Sequence, residues 1–165
     1  MVLYVRWVNA LNRRIGRAVM YLVFVMIAVL LYSSVSRTVF DQPLIWVVEV
    51  AQFLLAAYYL LGGAYSLQLD SHVRMDLFYT QWSPRARATA DAATVLCLIF
   101  YLVILLAGGI SSTQYALEYG QKNYSAWAPP LAPVKIMMSI GVFLMLLQAL
   151  AVFFDDLAAA LGRKL

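Results

Sequence analysis

The sequence predicts an all-α membrane protein, with four transmembrane helices preceded by an N-terminal amphipathic interfacial helix. Three observations lead there. Of 165 residues, 64% are hydrophobic and only 12% charged, and the mean hydropathy is +0.81, too apolar for a globule in water. Four runs contain no charged residue, 18–36, 50–69, 92–117 and 136–154, and each is close to or above the ~20 residues a helix needs to cross the hydrocarbon. No run alternates with the two-residue period of a barrel strand, and a backbone in lipid must satisfy its own hydrogen bonds, so the runs are read as helices. The residues between them are too few for a soluble domain. The chain is therefore expected to be a single four-helix transmembrane domain over 1–165, with spans at about 18–36, 44–69, 88–117 and 134–155.

Net charge narrows the partners. There are 12 Lys and Arg against 8 Asp and Glu, but the basic residues lie beside apolar runs and do not form a stripe of their own. Lipid headgroups are the expected neighbours, and no nucleic acid is expected. The N-terminal segment, the second loop and the tail hold nine basic residues, and the first and third loops hold three. This bias places both termini in the cytoplasm.

The first seventeen residues resemble the n-region of a signal peptide, but the apolar run after them is longer than an h-region and no A-x-A-like site follows it, so no cleavage is expected. Val8, Leu11, Ile15 and Val19 recur at helical spacing while Arg6, Arg13 and Arg17 fall on another face, the pattern of a helix lying at the interface.

The first turn comes next, and Pro43 suits the first helical position with Asp41 or Gln42 as cap, which starts the second span near Leu44. Trp46, Glu49, Phe53, Ala56, Leu60 and Gly63 then follow one seam that carries an aromatic anchor, an acid and two small residues, and this seam should face protein. A carboxylate at that depth needs a partner. Either Arg37 closes the hairpin by pairing with Glu49, or Glu49 contacts another subunit.

At the far end of the second span, His72 and Asp76 would share a helical face, with Arg74 pointing elsewhere. They sit outside the apolar run, where a solvated interfacial cluster is the simpler reading than a proton relay. Ser83 and Pro84 read as the cap and first residue of the third helix. That helix carries Gly108, Gly109, Ser111, Ser112 and Thr113, material for close packing, and Cys97 is a packed or lipid-facing thiol. In the third loop Tyr119, Tyr124 and Trp127 form an aromatic belt and Pro129, Pro130 and Pro133 a stiff return. The tripeptide Asn123, Tyr124, Ser125 matches a glycosylation sequon, a pattern short enough to arise by chance. Gln148, well inside the fourth span, is expected to make an interhelical hydrogen bond.

Function classes follow from what the spans lack. No charged residue interrupts the four runs, as it normally would in a protein that moves ions or solute by itself. The single histidine lies outside the spans, which removes a haem bundle, and no metal-ligand spacing or base-activated nucleophile occurs. No cofactor, metal or catalytic residue is expected. The residues alone describe a membrane subunit that packs against something. A small oligomeric transporter or channel using Glu49, and a non-transport anchor or assembly factor, are the other classes they permit.

The set Arg37, Phe40, Pro43, Trp46 and Glu49 at three-residue spacing resembles a known family. So do the pair Gly62 and Gly63, the run 72–76, and a third loop with Ser125 and a proline-rich approach to Gly141. Together they resemble the small membrane subunit (DctQ-like, Q subunit) of tripartite ATP-independent periplasmic (TRAP) transporters, over nearly the whole chain. Ser139 departs from the pattern, standing where the family often has proline. The resemblance implies a large, DctM-like membrane subunit holding the substrate and sodium sites, and a periplasmic solute-binding protein delivering an organic acid. It also implies residence in the bacterial inner membrane and a scaffold role beside an elevator-type transporter. On this reading Arg37, Trp46, Glu49, Gly63, His72, Arg74 and Asp76 are candidate interface or structural residues.

Overall fold

A computed structural model describes residues 2–69 and 84–160. They form five helices, α1 (Val2–Met20), α2 (Leu22–Val39), α3 (Val47–Gln68), α4 (Pro84–Glu118) and α5 (Ala132–Ala160). Four helical stretches, Leu3–Val39, Val47–Gln68, Ala93–Glu118 and Ala132–Asp155, are long and apolar enough to cross a membrane. The all-α membrane class with four spans is what the structure has, and the first stretch, Leu3–Val39, joins the amphipathic α1 to the apolar α2. Tyr21 alone separates α1 from α2.

The spans stand in a row. α5 packs along both α3 and α4, and α3 packs along α2. Among the described residues α2 and α4, at the two ends, share no extended interface, so the row does not close into a bundle. Both flanking helices accordingly expose apolar side chains, Phe24, Leu31 and Tyr32 on α2 and Leu96, Phe100 and Ile104 on α4. Such faces suit lipid or another membrane protein.

Lipid tails supply little drive for helix association, so close approach of backbones matters more than in water. Gly141 of α5 lies directly on α3. A Cβ there would stand 2.6 Å from the Leu60 carbonyl oxygen, and the two helices meet backbone to backbone. Leu102, Val142 and Ala149 form the buried centre of the α4–α5 contact. Thr113 Oγ1 and Ser139 Oγ lie 3.1 Å apart beside Gly109, so Ser139 serves this junction with a hydroxyl bond between helices.

α1 lies across the ends of α3 and α5 remote from the 40–46 turn. Val5 and Val8 pack on Ala151, with Tyr4 and Phe154 beside them, and Gly16 sits against the Tyr65 ring so closely that a Cβ would clash with it. The buried stripe runs through Val5, Val8, Asn12, Gly16 and Val19, while Leu11 and Ile15 are half-buried and Arg6, Arg13 and Arg17 are exposed. Periodicity in apolar residues thus placed the arginines correctly, but found only one flank of the contact, whose centre is polar at Asn12 and small at Gly16.

The turn before α3 differs from expectation. Residues 41–44 are not helical, and α3 begins at Val47 with Trp46 as its N-cap, which makes no side-chain capping bond. Ser36 holds the chain back. Its hydroxyl donates to Gln42 O at 3.2 Å, and its carbonyl accepts from the amides of Phe40 and Gln42, while Asp41 takes a left-handed φ of 51°. Pro43 therefore lies in the turn and not at the first helical position.

Candidate functional site: the Glu49 seam and its anchors

Glu49 is the third residue of α3 and is buried, with 6% of its surface exposed. Its Oε2 has no hydrogen-bond partner. Arg37, in the last turn of α2, is exposed, and no ion pair joins the two residues. The hairpin is instead closed by the buried Ser36 through Gln42. What stabilises the acid locally is its place in the first turn of a helix, where free amides and the positive end of the helix dipole favour negative charge. Arg37 is favoured in the same way at the negative end of α2. Burial of a carboxylate oxygen with no donor nevertheless costs free energy, which leaves Glu49 as a group suited to a further cationic or donor partner.

The seam below it changes neighbour along its length. Trp46 is half-buried beside Glu49. Leu60 meets Gly141, and Gly63 faces the Met145 sulfur, 2.8 Å from where its Cβ would stand. The lower part of the seam, Leu60 and Gly63, thus receives α5 of the same chain. His72, Arg74 and Asp76 lie outside the described residues.

A second polar constellation was only half legible in the sequence. Gln148 makes the interhelical bonds expected of it, with two residues of α1. Asn12 Nδ2 donates to Gln148 Oε1 at 2.7 Å, and Gln148 Nε2 donates to Asn9 Oδ1 at 2.9 Å. Tyr4 OH donates to Leu147 O at 3.1 Å. Asn12 was the available signal, a polar residue spaced four from Val8 and four from Gly16 on the buried side.

The loop between α4 and α5 is a compact lobe. Asn123 N donates to Pro129 O and Leu131 N to Gln121 O, both at 2.9 Å, around a bridge between Lys122 and Pro130. Ser125 Oγ accepts the Ala128 amide at 3.1 Å and supports the left-handed φ of 46° there. Lys135 Nζ donates to Gln121 Oε1 at 2.6 Å and ties the lobe to the start of α5. Tyr119, Tyr124 and Trp127 are exposed around it, and Cys97 is exposed on α4. Among the described residues no three His, Cys, Asp or Glu side chains cluster as a metal site would need.

Residues 4–159 match the family described as "Tripartite ATP-independent periplasmic transporters, DctQ component". The chain belongs to the DctQ family. The match takes in every described helix except the terminal residues of α1 and α5. As a DctQ component the chain is one part of a transporter made of several proteins, and its four apolar helices make it a membrane part. Comparison with individual curated proteins finds no match. In this DctQ protein, the Glu49 seam and the α1–α5 junction are polar assemblies set in largely apolar surroundings.

Proposed function

We propose that this DctQ protein is the scaffold subunit of a TRAP secondary transporter. It would brace the large, DctM-like subunit in the inner membrane during sodium-coupled uptake of an organic acid that a periplasmic binding protein delivers. Both termini would face the cytoplasm. The observation that carries this reading is the open row of spans, whose end helices present broad apolar faces and whose polar groups join helices to one another. A row of this kind offers a wide lateral surface to a neighbouring membrane protein and little enclosed interior for a solute. In the same reading, Glu49 with Trp46 receives a cationic side chain of the large subunit.

Uptake into liposomes tests the role. The purified chain alone is expected to move no solute, and the large subunit with the binding protein is expected to require this chain for sodium-driven uptake. Robust uptake by this chain alone would overturn the scaffold role.

A further inference from the structure

We infer that the flank of α1 holds one anionic phospholipid, with its phosphate among the α1 arginines and an acyl chain in the groove between α1 and α3. The first observation is a pocket of about 290 Å³ lined by Arg6, Asn9, Ala10, Arg13, Arg14 and Arg17. α1 contains no acidic residue, and none of these guanidiniums is ion-paired with a described residue. Arg13 and Arg17 are one turn apart and repel each other unless an anion lies between them. Arg17 nonetheless turns back along the helix, its Nε donating to Arg13 O at 3.4 Å. Asn9 Oδ1 accepts from Gln148 Nε2, and the Asn9 amide nitrogen stays free to donate. The pocket therefore presents donors and positive charge, and forked guanidinium donors match phosphate oxygens.

The second observation is an apolar groove of about 390 Å³ whose α1 residues, Gly16, Val19 and Met20, lie in the same C-terminal turns of α1 as Arg13 and Arg17. Gly62 leaves part of its floor without a side chain, Gly16 is covered by the Tyr65 ring, and Tyr58 and Tyr59 stand along it. It follows α3 from Tyr58 to Leu69, about 16 Å at ~1.5 Å per residue, from the middle of the span to its end. At 100° per residue on α1, Arg13 stands only about 20° around the helix from Met20, which lines the groove. A charged head at the helix end and a narrow apolar channel leading toward the middle of the bilayer fit a phospholipid, and basic pockets beside spanning helices recognise anionic headgroups.

Native mass spectrometry of the intact chain in mild detergent, with phosphatidylglycerol or chain-matched phosphatidylcholine added, tests this. One phosphatidylglycerol should be retained per chain, at least tenfold over phosphatidylcholine. Gly62→Leu places a branched side chain in the groove from a position where a Cβ meets nothing within 4 Å, and it should lower retention about tenfold, as should Arg13→Gln combined with Arg17→Gln. Gly108→Leu on α4, where a Cβ also meets nothing, should retain the lipid, and thermal melts of both glycine variants should match the parent. The Gly62→Leu result stands by itself if the arginine variant fails to fold. Equal retention of the two lipids, or retention undiminished by Gly62→Leu, would overturn the inference. So would displacement by soluble glycerol phosphate, which would indicate a free-anion site. Release of lipid on adding the large subunit, with assembly blocked by Gly62→Leu, would assign the groove to a partner helix and equally overturn it.

Discussion

The side-chain amide of Asn12 donates to Gln148 Oε1 at 2.7 Å, joining the first helix of the chain to the last across 136 residues. Both side chains are buried, with 1% and 2% of their surfaces exposed. Gln148→Leu leaves the amides of Asn9 and Asn12 without this partner and should cost about 1–2 kcal/mol, within the range for orphaned buried polar groups and for hydrogen bonds between membrane helices. Replacing Asn9, Asn12 and Gln148 together by apolar residues should recover most of the loss. Thermal unfolding in detergent, with limited proteolysis of α1 as a local readout, checks both outcomes.

Glycine variants should rank by what their new methyl group meets. Gly141→Ala drives a Cβ to 2.6 Å from a backbone oxygen of α3, so the helices must separate, at about 1–3 kcal/mol. Gly63→Ala meets the Met145 side chain, which can turn aside, and should cost less. Gly62→Ala meets nothing and should be neutral or slightly stabilising through better helix propensity. Melting temperatures in the order Gly141→Ala, Gly63→Ala, Gly62→Ala, lowest first, are expected, and any other order contradicts the close α3–α5 approach.

Because Arg37 and Glu49 are not paired in the subunit, exchanging their charges should rescue nothing. Glu49→Gln removes an unpaired buried carboxylate and also a favourable charge at the start of α3, opposing effects that should leave the isolated subunit within about 1 kcal/mol of its original stability. Recovery of the large subunit in a pull-down should fall at least tenfold, a loss of about 1.4 kcal/mol. A destabilised subunit that Arg37→Glu with Glu49→Arg restores would show that the pair closes the hairpin after all.

Orientation follows from the nine-to-three distribution of basic residues across the loops and ends. Reporter fusions after Trp127 and after Leu165 should give periplasmic and cytoplasmic signals respectively. The reverse pattern would invert the proposed topology and move the α1 arginines to the wrong leaflet face.

The sequence by itself determined the class, the number of spans and the exposed arginine face of α1. Those depend on where charge stops and apolar residues run, and the cost of taking a charged side chain into hydrocarbon is read residue by residue along the chain. It also marked Gln148, because a lone amide inside a span must find a partner. The tertiary structure alone decided that the helices stand in the order α2, α3, α5, α4, that Gly63 serves α5 of the same chain, that Asn9 and Asn12 receive Gln148, and that Ser36 rather than Arg37 closes the first hairpin. Every span here carries small and weakly polar residues that permit close approach, so the choice of neighbour rests on the fit of particular surfaces, such as a glycine against one carbonyl or an amide against one asparagine, and such matches exist only once the helices are side by side.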